Sequence, residues 1–333
     1  MAGGRASRAS RPAVAGLALV IALGLAACDR PAPPPGTDEA ASSSPTGRRS
    51  PDGSPAPAPD PQPAPAALVA PRPARDADDL ARRLVAAERA VRDANRTGAE
   101  VAQAAFDTQV LYRQLGRTPA WRREVLAAAG GYRDAVADHL EGRRSLRSVL
   151  TTLTSTLPAW RIVRPPPADD LIRFYRKGER VFGVPWQVLA AVNFVETGFG
   201  KIRGFSSAGA RGPMQFIPAT WEAYGEGDID DPHDSIMAAA RYLAANGGDT
   251  AAGLDGALYA YNHHEGYVRG IRAYARLMER DPGAFRQLYR WQIIYLSTRG
   301  DVWLPIGYRS RESLPVARYL RQHPDRLLSG TTD

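Results

Sequence analysis

The stretch VLAAVNFVETGFG, residues 188–200, places a carboxyl group at the end of an otherwise apolar run. Every side chain from Val188 to Val195 is apolar except Asn193; Glu196 follows, then Thr197 and a Gly-Phe-Gly exit. Pro185 supplies a start signal ahead of the run and Gly198 a stop behind it, so the pattern predicts a buried helix. On that helix Leu189, Val192 and Glu196 fall at i, i+3 and i+7, and the carboxyl projects from the apolar stripe. A poorly solvated carboxyl is expected to have a raised pKa, the property a general acid needs near neutral pH. Taken alone, the same residues also fit a half-buried Glu that bonds to nearby backbone.

The flanks narrow the choice. After the prolines at 165–167, Asp169 or Asp170 is expected to cap a helix carrying Leu171, Phe174, Tyr175, Val181 and Phe182, which stops at Gly183. Downstream comes SSAGARGPMQFIPATW, residues 206–221, whose Gly209, Gly212 and Pro213 suit a tight loop that brings backbone and Gln215 close to a ligand. A third motif, GALYAYN, occupies residues 256–262. Glu196, the GARGPMQ loop and the AYN triplet, in this order and spacing, resemble the lysozyme-like lytic transglycosylases of the soluble-transglycosylase (SLT) type over about residues 170–275.

That resemblance implies a mainly α-helical, lysozyme-like catalytic domain, placed at residues 165–325. It implies that Glu196 is the single catalytic acid and base, and that Ser206 contacts the N-acetyl group next to the scissile bond. Met214 and Gln215 would be substrate-binding residues of the G-x-M-Q motif, Tyr261 the tyrosine that hydrogen-bonds near the acid, and Asn262 the end of the same motif. The implied reaction cleaves the β-1,4 bond between N-acetylmuramic acid and N-acetylglucosamine in peptidoglycan and leaves a 1,6-anhydro sugar. No cofactor is called for, because a substrate acetamido oxygen can do the work of a second carboxylate.

His263, His264 and Glu265 depart from the Ala-Gly that relatives often carry after the Asn. Glu265 is expected on a solvated rim. The histidines are expected in structural or sugar-contact roles, since no further ligand stands at a recognised metal spacing. GEGDIDDPHDS, residues 225–235, lacks the sixth-position Gly and twelfth-position Glu of a calcium loop. It reads instead as an acidic loop followed by Asp234 or Ser235 capping the helix IMAAARYLAANGG, with no metal bound. Of Trp186, Phe216, Trp221, Tyr224, Tyr259 and Tyr267, which surround the motifs, a minority is expected in a glycan cleft and the rest in the core.

The remainder of the chain is mosaic. Residues 1–27 carry Arg5, Arg8 and Arg11 ahead of an apolar run, the layout of a secretory signal, and Leu25-Ala26-Ala27-Cys28 resembles a bacterial lipoprotein box. Lipidation of Cys28, the only cysteine, would anchor an envelope protein to a membrane and leave no thiol for a disulfide. Residues 28–75 read as a disordered Pro/Ala-rich tether that cannot bury enough apolar surface to order itself. Residues 76–160 read as a helical accessory region of unknown partners. In it Leu80, Leu84 and Val91 share a stripe, Thr118-Pro119 starts a helix, and Val125, Ala129, Tyr132, Val136 and Leu140 continue to Gly142. WRIVRPPPADD, residues 160–170, marks a boundary, and WQIIYLSTRGDVWLPIGY suggests a short hairpin turning at Ser297 to Asp301.

The formal charge of +8 does not indicate nucleic acid: three positive charges belong to the signal, and the rest are scattered among 35 acids. Two other readings of the glycan site stay open, a muramidase that uses water and a wall-binding scaffold that cleaves nothing.

Overall fold

The computed structural model describes residues 68–329; the signal segment, Cys28 and the tether up to residue 67 lie outside the described residues. Four helices come first: α1 (Ala77–Arg92), α2 (Gly98–Arg117), α3 (Arg122–Ala128) and α4 (Arg133–Arg147). Asp76 caps α1, and Thr97 with Glu100 forms a reciprocal capping box on α2. The stripe read as running to Gly142 is broken at Gly130–Tyr132, where Gly130 takes φ +54°, and Gly142 lies inside α4 rather than at its end. A short link then supplies β1 (Thr156–Leu157) and β2 (Arg161–Ile162).

The central helices follow: α5 (Ala168–Phe182), α6 (Trp186–Thr197), β3 (Ile202–Arg203), α7 (Pro218–Tyr224), α8 (Pro232–Ala245), α9 (Leu254–Asn262), α10 (Glu265–Arg280) and α11 (Pro282–Arg290). Two cap expectations are corrected here. Helix α5 begins after Pro167, so Asp169 and Asp170 lie in its first turn, where acids suit the helix dipole, instead of capping it. Helix α8 is capped by Asp231, whose carboxylate accepts from the Asp234 amide at 3.0 Å, because Pro232 at the first helical position sets the start ahead of Asp234 and Ser235.

The chain closes with β4 (Ile293–Ser297), β5 (Gly300–Leu304), β6 (Leu314–Pro315), α12 (Val316–Gln322) and β7 (Leu327–Ser329). The expected hairpin is present: β4 and β5 pair antiparallel from Ile293↔Leu304 to Ser297↔Gly300, with β7 added beside β5. Strand β6 pairs with β1, and β2 pairs with β3. The segment read as a boundary is therefore tied to the exit of α6.

The first four helices share one hydrophobic core with α5–α11. Helices α4 and α10 approach closely because each offers a glycine: a Cβ on Gly142 would stand 2.7 Å from the Tyr274 ring, and one on Gly270 would stand 2.6 Å from Leu146. His139 of α4 is stacked between Tyr112 of α2 and Trp291, with centroids 4.1 and 5.1 Å away, and burial pushes its pKa down to about 3. The hairpin is fastened to α2 by Asp301, which is 2 % exposed and accepts from Arg113 and Arg117.

Part of the tether is ordered. The side-chain amide of Gln103 both accepts from and donates to the backbone of Val69, and Gln114 does the same to Ala74. Five residues of extended chain and eleven of helix each advance about 16 Å, so the two clamps stay in register along α2.

Candidate active site

All side chains of α6 from Val188 to Thr197 are buried, so the helix runs through the interior and delivers Glu196, 1 % exposed, from its last turn. The chain then turns through Gly198, Phe199 and Gly200, at φ 61°, 65° and 80°. Three consecutive left-handed residues, one of them not glycine, form a strained exit. It is held by Thr197, whose hydroxyl accepts from the Gly200 amide at 2.9 Å and donates to the Pro213 carbonyl at 2.7 Å.

That second bond ties α6 to the motif loop. Arg211 and Phe216 exchange backbone hydrogen bonds of 3.0 and 2.9 Å, which pinches Gly212–Gln215 into a tight turn. Met214, fully buried, is gripped twice: its sulfur accepts from Asn193 of α6 at 3.1 Å, and its carbonyl accepts from the Tyr261 hydroxyl at 2.7 Å. Gln215, at φ 54°, donates from its side-chain amide to the Gly212 carbonyl. Upstream in the loop, Ser206 is buried and its Oγ accepts from the amides of Ala208 and Ala210 at 3.2 and 3.0 Å. Both lone pairs of that oxygen serve the loop.

The acidic loop braces this assembly from outside. Arg211 pairs with Asp230, Arg203 donates to the Asp230 carbonyl, and Gly212 lies against the Ile229 carbonyl so closely that no Cβ fits. Asp231, His233 and Asp234 bring potential metal-ligating atoms within 4.8 Å of one another. Their oxygens already cap α8 and hold the Asp228 amide, and the Lys177 ammonium stands 2.9 Å from His233, an arrangement unsuited to a cation.

The Tyr261 hydroxyl donates to the Met214 carbonyl beside α6. A hydroxyl that donates to Glu196 Oε1, at 2.8 Å, is that of Tyr267, which stacks on Tyr261 at 6.2 Å with ring planes 5° apart. Burial and the neighbouring Glu196 charge push both phenols well above the usual tyrosine range, so both stay donors. The sequence reading placed Tyr267 only among the surrounding aromatics; its position in the first turn of α10 carries no signal of the contact. Asn262, half-buried, ends α9. His263 takes the left-handed cap at φ 52°, and His264 caps α10 by accepting from the Gly266 amide. Glu265 is 67 % exposed beside Arg269, as a rim residue should be. Cys28 lies outside the described residues.

The family model described as Transglycosylase SLT domain matches residues 173–280. The membrane-bound lytic murein transglycosylase F of Thiobacillus denitrificans is 29 % identical over 174 residues, covering 50 % of this chain and 36 % of that protein. Membrane-bound lytic murein transglycosylase F 2 of Alkalilimnicola ehrlichii is 28 % identical over 187 residues, covering 54 % of this chain and 39 % of the relative. The chain thus spans well under half the length of either curated relative. No solved structure matches it. Residues 173–280, which hold Glu196, the pinched loop and the AYN motif on one core, are thus the part of the chain that is similar to the transglycosylase SLT domain.

Proposed function

We propose that this chain is a peptidoglycan lytic transglycosylase with Glu196 as its single acid and base. The observation that carries the reading is a buried carboxyl on the last turn of α6, held by the Tyr267 hydroxyl, with the motif loop bonded to the same helix through Thr197 and Asn193. The protonated Glu196 gives its proton to the glycosidic oxygen as the bond from the muramyl C1 breaks. The substrate's acetamido oxygen supports the positive charge at C1. The C6 hydroxyl of the same sugar then attacks C1 and returns its proton to Glu196, which closes the 1,6-anhydro ring and restores the acid. Binding by Ser206, Met214, Gln215, Tyr261 and Asn262 is part of this proposal; Met214 and Tyr261 act chiefly by holding the loop against α6.

The exposed Glu265 argues against a second catalytic carboxylate there, and hence against the two-acid route. The envelope is the proposed location, with a lipid on Cys28 as the anchor. This accords with the printed names of both relatives, and among the described residues no helix is long and apolar enough to cross a membrane.

The test is mass spectrometry of purified peptidoglycan digested by the protein and by Glu196→Gln. Anhydro-muropeptides from the first, reduced at least 10²- to 10⁴-fold in the second, are expected. Reducing-end products would make the protein a muramidase, and an absence of products from both would leave a glycan-binding role.

A further inference from the structure

Helix α5 buries Leu171, Tyr175 and Gly178 and exposes Arg173, Arg176, Lys177 and Arg180, which fall at i, i+3, i+4 and i+7 on one stripe. Elsewhere the chain matches grouped arginines with acids: Arg113 and Arg117 with Asp301, Arg276 and Arg280 with Asp138, Arg82 and Arg83 with Asp79. On α5 Arg173 is matched by Asp170, and Lys177 acts on the Asp234 carboxylate across His233; among the described residues no ion pair forms at Arg176 or Arg180.

The stripe borders a groove of about 500 Å³ lined by Arg173, Phe174, Arg176, Lys177, Arg180 and His233. His233 Nδ1 lies 2.9 Å from Asp234, and its Nε2 lies 2.9 Å from the Lys177 nitrogen. The His233 ring thus bridges the Lys177 nitrogen and the Asp234 carboxylate and fixes the lysine at the groove wall. Beside the cations runs an apolar edge: Phe174, whose ring meets His233 edge-on at 5.3 Å, and Val181, 57 % exposed and seven positions further on.

Exposed guanidinium and ammonium groups with an adjoining apolar edge match the interfacial region of an anionic bilayer, where the cations meet phosphate oxygens and the edge enters the head-group boundary. Access fits as well. Residues 29–67 separate Cys28 from the described body, and a chain of that length extends at most about 130 Å, so an anchored molecule has slack to lay α5 on the same membrane. We infer that the α5–α8 groove docks on phosphodiester head groups of an anionic lipid surface. The docking is independent of the lipid at Cys28 and of the transglycosylase reading.

The test uses the chain without residues 1–27 and with Cys28→Ser, so that no acyl chain contributes. It is sedimented with vesicles of phosphatidylglycerol and phosphatidylcholine, or of phosphatidylcholine alone, alongside the triple variant Arg176→Gln, Lys177→Gln, Arg180→Gln. A control with the same net charge carries Arg311→Gln, Arg318→Gln and Arg321→Gln, all exposed. Binding to the anionic vesicles alone is expected, at least tenfold weaker in the α5 variant and unchanged in the control, with thermal unfolding the same in all three. Equal loss in both variants would reduce the effect to net charge and overturn the inference. Vesicle binding untouched by the α5 variant, with binding to purified peptidoglycan lost instead, would overturn it in favour of an anionic wall polymer.

Discussion

Tyr267 and Glu196 lie 71 positions apart in the chain and 2.8 Å apart in the fold, the phenol donating to Oε1 of the buried acid. Tyr267→Phe removes that donor while keeping the ring stacked on Tyr261. The expected outcome is a kcat reduced roughly 10- to 100-fold with KM nearly unchanged, because the carboxyl loses its orientation and not its binding surface. Steady-state kinetics on solubilised glycan strands check this; a loss confined to KM would place Tyr267 in substrate binding instead.

Gly212 sits at φ +79° against the Ile229 carbonyl. Gly212→Ala adds both backbone strain and a collision, and is expected to cost roughly 2–5 kcal/mol and to push the acidic loop off the motif. Urea unfolding reads the first effect and activity the second. A variant as stable as the parent would mean that the loop yields without cost.

Lys201 is 4 % exposed, with its nitrogen bonded to the carbonyls of Tyr289 and Trp291, and burial pushes its pKa down from 10.5 to about 7. Between pH 7 and 10.5 the unfolded chain therefore holds a proton that the folded chain has released, so this group's contribution to stability rises with pH across that window. Relative to Lys201→Met, the parent protein is expected to gain up to about 3 kcal/mol between pH 7 and 9. Denaturation midpoints at the two pH values decide the matter, and a constant difference would show that the amine stays protonated.

Asp301 behaves oppositely. Burial alone would raise its pKa, but the guanidinium groups of Arg113 and then Arg117 outweigh this and hold the carboxyl well below the usual range. Its contribution is present above the unfolded value, roughly 3.9, and is lost as pH falls through the folded one. Asp301→Asn leaves buried arginines uncompensated and is expected to cost about 3–5 kcal/mol at pH 7, an increment that shrinks on acidification. A pH-independent difference would contradict the assignment.

What the sequence disclosed and what it hid divide along physical lines. Pro185, Gly198 and the apolar run bound α6 locally, and the turn residues between Ser297 and Asp301, flanked by β-branched and aromatic side chains, mark the hairpin, because such signals act over a few residues. Gly142 reads as a stop, yet it and Gly270 are the points where α4 and α10 touch, a property of two helices together. The Tyr267 contact and the clamping of Val69 and Ala74 by Gln103 and Gln114 depend on tertiary placement in the same way. Arg299-Gly300-Asp301, read as a turn, contains the buried partner of Arg113, which only the packed structure reveals.

The paired glutamine clamps also set how the molecule takes a load. A pull along the axis of α2 loads the hydrogen bonds at Val69 and Ala74 together in shear instead of peeling them in turn. Such a load enters the helical body through α2, an element other than the one that carries the strained turn behind Glu196.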